Sequence, residues 1–360
     1  MISRARRLAA VALGGALLWL PALTGIAQAA PTRVYSASLA KTAADVKRVA
    51  EYWKPDRLKV ADKYSPATPG AAADSSSTSG ASVAGPVPAV SRALAAQSVA
   101  ASAPRTGTAR TMGKVYFRFG SKEYWCSGAA VAAKNRSVVA TAGHCAYDAR
   151  QVRAADYWIF VPNPGLNGET PDGIYVGASI SMHEDWSGKG DYDYDYAFVT
   201  VHRGFTWVAK DGGYVMQDVG TLQDNVGGLG LDLNKKPGSY TVTPFGYPAG
   251  AQPDGTTPFD GKALRTCPTA PTRFTVAPAR DVQKGVELQP CGFSAGVSGG
   301  PWVIGYDDTR QLGDLNGVNS LTWNRNPGGF YDAVSSPYFD TTTGQIYRHA
   351  ASVTTPANVT

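Results

Sequence analysis

The stretch Gly296-Val297-Ser298-Gly299-Gly300-Pro301-Trp302 (GVSGGPW) sets three glycines and a serine directly before a Pro-Trp pair. Glycine loses more conformational freedom on folding than any other residue, so this density calls for a physical reason. A bend tight enough to aim the Ser298 hydroxyl and adjacent backbone N–H groups into one small volume would supply it. A plain surface turn uses the same residue types, so the reading rests on what the remaining chain can bring to Ser298.

Forty glycines and 24 prolines, with four cysteines and four histidines in 360 residues, point to many short strands joined by tight turns. At the start, Arg4, Arg6 and Arg7 precede an apolar run from Leu8 to Leu23 and a small-x-small Ala27-Gln28-Ala29, the pattern of a cleaved secretory leader over residues 1–29. An uncleaved anchor is the alternative; no later stretch is apolar enough to cross a bilayer. Residues 1–110 carry 14 Lys+Arg against 5 Asp+Glu, a net of +9; the remaining 20 against 23 leave −3 for residues 111–360. The basic balance therefore lies outside the body, and a nucleic-acid role loses its main support.

Val46, Val49, Ala50 and Trp53 fall at helical spacing in residues 38–54, and Pro55 ends the pattern. From about Ser65 to Ala109 the composition turns to Ala, Ser, Gly, Pro and Thr, which buries too little to fold. The layout predicts a secreted precursor: leader (1–29), propeptide and flexible linker (30–110), and a β-rich body (111–360). Six apolar runs precede Phe205: KVYFRF, CSGAAVA, SVVAT, YWIFV, GIYVGASIS and DYAFVTVH. Six looser ones follow: YTVTPF, KALRT, RFTV, VELQP, PWVIG and GVNSLTW. The expected fold is all-β, two six-stranded antiparallel β-barrels (about 111–215 and 216–360), with a short C-terminal helix around TTGQIYRHA. An even cysteine count in an exported chain predicts disulfides, locally Cys126–Cys145 and Cys267–Cys291. Zinc is the competing use, but no two cysteines stand two to four residues apart.

Among the histidines, His144 in VVATAGHCAYD follows a run that reads as a buried strand and precedes Cys145, whose disulfide would pin the backbone. A general base needs such an anchor; a partly buried structural histidine is the alternative. In GDYDYDYAFVTVH, Asp195 lies nearest the strand and is the candidate to orient an imidazole, with Asp191 and Asp193 expected in solvent. A solvated acidic loop or a calcium site would use the same residues. A hydroxyl at Ser298 needs a neighbouring base, and the oxyanion it creates needs two N–H donors, which Gly296 and Ser298 can supply.

TAGHC, DYAFV and GVSGGP, in the order His, Asp, Ser, resemble the chymotrypsin-like (trypsin-like) serine peptidases over roughly residues 112–350, with Cys145 directly after the histidine and its partner in WCSG. EYWKPDRL, CGFSAGVSGGPW and LNGVNS through PYF resemble the secreted actinobacterial members. The resemblance implies His144 as base, Asp195 as its orienting carboxylate, Ser298 as nucleophile, and Gly296 and Ser298 as the oxyanion hole. It places the primary pocket at Gly292, Ser320, Leu321 and Thr322, with Ser320 touching the aspartate. It implies a secreted monomeric endopeptidase acting on protein or peptide substrates, with no cofactor, no metal and no membrane association after leader cleavage. A non-catalytic binding protein and an esterase remain open on the same residues. Two departures bear on this. Val297 stands where many members carry an acid that pairs with a new N-terminus, so cleavage near Arg105 or Arg110 would act by unblocking the site. No acid lies between Cys291 and Ser298, and no histidine in NGVNSLTW, so small or medium uncharged side chains are expected in the pocket.

Overall fold

The run Ala197–Val201 is buried at every position, because neither of its faces reaches solvent. In the computed structural model, which describes residues 33–66, 72–73, 109–325 and 328–355, an N-terminal strand β1 (Val34–Ser38) is followed by six strands that close into a barrel. These are β2 (Met112–Phe119), β3 (Lys122–Val131), β4 (Val138–Thr141), β5 (Asp156–Pro162), β6 (Tyr175–His183) and β7 (Ala197–Val201). They match the six runs expected before Phe205. The order is β6–β7–β4–β3–β2–β5, and β5 closes onto β6 through Phe160 opposite Tyr175 and Ile159 opposite Val176.

Val115, Phe117, Val139, Phe160, Ile180 and Val199 fill the interior. Successive side chains alternate between faces, so their neighbours Tyr116, Val138, Ile159 and Phe198 point outward, and two further layers cover them. One layer is the second half of the chain with the C-terminal helix α2 (Thr341–Ser352): Met112, Val138 and Phe198 meet Leu315, Phe339 and Ile346. The other is the N-terminal segment. Its helix α1 (Ala43–Tyr52) begins with a reciprocal cap between Thr42 and Asp45 and presents Val46, Val49, Ala50 and Trp53, as the spacing predicts, to Tyr116, Trp125, Ile159 and Val176. Strand β1 pairs antiparallel with β6, from Val34 opposite His183 to Ser38 opposite Ser179.

Of residues 30–110, read as propeptide and linker, the structure describes 33–66, 72–73 and 109–110. Residues 33–66 pack into the same body as 109–355, because the composition shift marks where the linker lies but not where the preceding helix docks. Arg110, a candidate cleavage position, is half-buried and its Nη2 lies 2.5 Å from Oδ1 of the buried Asp172. The leader 1–29, Arg105 and almost all of the linker lie outside the described residues.

After a hairpin of β8 (Gly204–Lys210) and β9 (Gly213–Gly220), the second half contains β10 (Thr241–Gly246), β11 (Arg273–Ala277), β12 (Val282–Leu288), β13 (Pro301–Asp307), β14 (Leu312–Val318), β15 (Leu321–Asn324) and β16 (Ala333–Ser336). They form two sheets. One runs from Gly230–Leu231 through β14, β13 and β10 to Arg265–Thr266; the other is β11–β12–β16–β15, with the backbone of Ala72–Ala73 parallel to Trp323–Asn324 at its edge. Where a second closed barrel was expected, the two ladders do not join among the described residues. KALRT contributes only Arg265–Thr266, and GVNSLTW divides between β14 and β15. The β8–β9 hairpin and β16 gave no signal, the first being largely exposed and the second a short serine-rich strand. Both disulfides are formed as expected, Cys126–Cys145 (2.05 Å) and Cys267–Cys291 (2.01 Å).

Phe198 is fully buried where barrel, second half and α2 meet. Phe198→Ala is expected to cost about 3–5 kcal/mol, read as a lowered midpoint in urea unfolding.

Candidate active site

His144 follows β4 in a short 3₁₀ turn (Gly143–Cys145) that the Cys145 disulfide ties to β3. Asp195 closes a second 3₁₀ turn (Tyr192–Tyr194) immediately before β7. The Asp195 carboxylate is 0% exposed and accepts three hydrogen bonds. The His144 backbone N–H donates to Oδ1 (2.9 Å), His144 Nδ1 lies 3.1 and 2.9 Å from Oδ1 and Oδ2, and the Ser320 hydroxyl donates to Oδ2 (2.6 Å). With Nδ1–H donated to a carboxylate, the tautomer leaves a lone pair on Nε2. That atom is buried and has no hydrogen-bond partner among the described residues.

The three aspartates of GDYDYDY serve three separate contacts. Asp191 caps the turn by accepting the Asp193 N–H (2.9 Å). Asp193, expected in solvent, is 4% exposed and accepts the N–H groups of Gln283 and Lys284 on β12 (3.0–3.1 Å), tying the turn to the second half. Asp195 holds the imidazole. Their carboxylates face different donors and, among the described residues, do not converge as calcium ligands would.

The glycines of GVSGGPW are there because neighbouring atoms leave no room for a Cβ. Gly296 has φ +104°, and a Cβ there would lie 2.4 Å from the Tyr247 carbonyl and 2.5 Å from the Trp125 ring. Gly299 has φ +78°, and its Cβ would lie 2.1 Å from Thr141 Oγ1 on β4. The turn is thus pressed against the strand that leads to His144. Its carbonyls are held from behind. Ala295 O accepts from Ala249 and Gly250 (2.8 and 2.9 Å), Gly296 O from Ser127 Oγ (2.9 Å), Val297 O from Gly300 N–H (2.8 Å) and Asn319 Nδ2 (3.1 Å), and Ser298 O from Ser127 N–H (2.8 Å). In a trans peptide the N–H points opposite the preceding carbonyl. Fixing Ala295 O and Val297 O therefore turns the Gly296 and Ser298 N–H groups toward the other side of the turn. Val297 itself is buried in an apolar cluster with Phe293 and Trp302. Asn319 also donates to Phe245 O (2.8 Å) and accepts from Trp302 Nε1 (2.7 Å), so both amide hydrogens and the amide oxygen are engaged.

Ser298 and Ser320 line one small, narrow pocket with Ser294, Ala295, Leu321, Thr322 and Val334. Gly292, expected there, is exposed and outside it, its carbonyl accepting from Gln252. Ser294 Oγ is buried without a hydrogen-bond partner among the described residues. A larger open cleft adjoins His144, walled by Phe119, Tyr124, Tyr147, Arg150 and Trp186. The reading from sequence missed Ser127, Ser294 and Asn319. Of these, Ser127 lies within WCSG, next to Cys126.

Fold and site define a chymotrypsin-like serine endopeptidase. The Trypsin family model matches residues 99–340, and the chain belongs to that family. It is similar to the thermostable serine protease AL20 from an extremophilic microorganism (28% identity, TM-score 0.55, covering 68% of this chain and 99% of that one). It is also similar to the protease Anisep from Arthrobacter nicotinovorans (30% identity, TM-score 0.53, 68% and 96%). No curated protein sequence matches the chain. No helix among the described residues is long and apolar enough to cross a membrane.

Burial pushes the Asp191 carboxyl up to about 6 from 3.8. Between about pH 4 and 6 the folded protein keeps a proton there that the unfolded chain has lost, so this group lowers stability as pH rises through that window. Asn caps as well as Asp, so Asp191→Asn is expected to raise the urea midpoint relative to wild type at pH 7.5 and to leave it nearly unchanged at about pH 3, below the unfolded carboxyl's value. Equal differences at both pH values would contradict the assignment.

Proposed function

We propose that His144, Asp195 and Ser298 form the catalytic triad of a secreted endopeptidase, with the Gly296 and Ser298 N–H groups as its oxyanion hole. The observation that carries this is the fully buried Asp195 holding His144 through both its ring and backbone N–H, which leaves Nε2 as a bare acceptor. Ser298 Oγ attacks the scissile carbonyl carbon as His144 Nε2 takes its proton, and the oxygen that becomes negative receives the two N–H groups. Collapse breaks the C–N bond, the amine leaves with the proton from Nε2, and water repeats the sequence on the acyl-enzyme to release the acid and restore Ser298. Asp195 stays ionised throughout and stabilises the imidazolium.

In the same reading the C-terminal half is the second barrel of the fold, opened between its two sheets. Residues 1–29 export the chain, and the 67–108 stretch keeps it a precursor. The backbone of Ala72–Ala73 alongside Trp323–Asn324 supports the last point, because β15 also carries Leu321 and Thr322. A fluorophosphonate probe is expected to label the protein at Ser298, faster after cleavage between 67 and 108, and not to label Ser298→Ala, whose turnover falls on the order of 10⁶-fold. A folded, cleaved preparation that resists the probe would leave a binding role instead.

The small pocket has no charged wall, which supports small or medium uncharged side chains at the cleaved position. The unpartnered Ser294 hydroxyl favours a polar tip, because a buried hydroxyl left unpaired costs about 1–3 kcal/mol. Ser294→Ala is expected to shift a peptide-library cleavage profile from polar toward apolar side chains of similar size; an unchanged profile would refute that role.

A further inference from the structure

We infer that residues 33–66 remain on the active enzyme as a clamp that sets Trp125 behind the oxyanion turn, so that processing between 67 and 108 yields a two-piece protein. This rests on the role proposed for Gly296.

The segment is held as part of the core. Trp53 is 0% exposed; its Nε1 donates to Tyr157 O (2.6 Å), and its own carbonyl accepts from Trp207 Nε1 (3.1 Å). The buried His202 lies with Nε2 2.9 Å from Ala40 O, and Tyr52 donates to Glu123 on β3 (2.6 Å). Removing the segment would bare one apolar face containing Ile159, Val161, Val176 and Phe205, together with the edge of β6 from Ser179 to His183 that β1 covers. An exposed apolar patch joined to an open strand edge is a known route to aggregation. The family match begins only at residue 99, so this layer lies outside the matched stretch.

The segment reaches the site through one ring. Trp125 Nε1 donates to Tyr64 O at the segment's end (3.2 Å), the backbone of Ser65–Pro66 pairs with Tyr124–Trp125, and the ring is fully buried. The opposite side of that ring is the surface a Cβ on Gly296 would strike at 2.5 Å. Trp125 is thus a positioning residue. It acts through the turn, because a shift of its ring moves the wall against which Gly296 rests.

The test uses the full chain with a site-specific protease sequence inserted at residue 80. After cleavage, size-exclusion and mass spectrometry should find the 33–66 fragment co-eluting with the body, and hydrolysis should persist. In Trp125→Phe, which keeps a ring but loses the bond to Tyr64, kcat on a small ester should fall about ten-fold with KM changed less than about two-fold, a smaller effect than losing an oxyanion donor outright. Stripping the fragment in mild denaturant should lower kcat, and adding back a 33–66 peptide should restore it. A fragment that dissociates freely while the body keeps its full kcat would overturn the inference, as would a Trp125→Phe enzyme with unchanged kcat. A protein that is never acylated even with the fragment bound would instead overturn the triad reading.

Discussion

The constraint from which the site is built is a single carboxylate with no access to water. An ionised group in that setting is tolerated only when its lone pairs are used. Asp195 uses them on the backbone and ring of His144 and on Ser320. These partners come from different parts of the chain: the turn after β4, and the junction of β14 and β15 in the second half. Satisfying one buried charge therefore brings the two halves into register and fixes the imidazole tautomer at the same time. The aspartates before it extend the arrangement, Asp193 binding the turn to β12 and Asp191 capping it.

The Gly296–Gly300 turn, proposed above as the oxyanion hole, meets a different requirement. In that role its N–H groups have to point at a substrate atom before that atom carries charge, and preorganised dipoles of this kind supply much of the stabilisation in acyl transfer. With Val297 in the place of an acid, no buried ion pair orders the turn from that position. Scaffold donors hold its carbonyls instead: Ser127 from β3, Asn319 from the β14–β15 junction, and the backbone of Ala249 and Gly250. Apolar packing of Val297 beside Phe293 and Trp302 completes the mount.

The N-terminal segment gives the barrel a layer that its strands had already announced. KVYFRF and YWIFV are apolar on consecutive residues, and a half-exposed antiparallel strand would alternate. Tyr116 and Ile159, the outward members of those runs, are where α1 and Trp53 dock. The sign was present in the sequence, yet it told only that something covers those strands. Which stretch does so depended on how the chain returns after a linker that carries no periodicity.

What the sequence by itself determined is what depends on local residue chemistry. It marked His144, Asp195 and Ser298 as a candidate set, and the local cysteine pairings, the six strands of the first barrel and the amphipathic helix ending at Pro55 were legible from spacing and period. Tertiary structure alone decided the hydrogen bonds of Ser127 and Asn319, the packing of Trp125 against Gly296, the place of Gly292 outside the small pocket and of Ser294 in its lining, and the division of the second half into two sheets. A serine, an asparagine or a tryptophan gains such a role only when a backbone carbonyl or a glycine distant in sequence is brought within about 3 Å of it, and no local pattern encodes that approach.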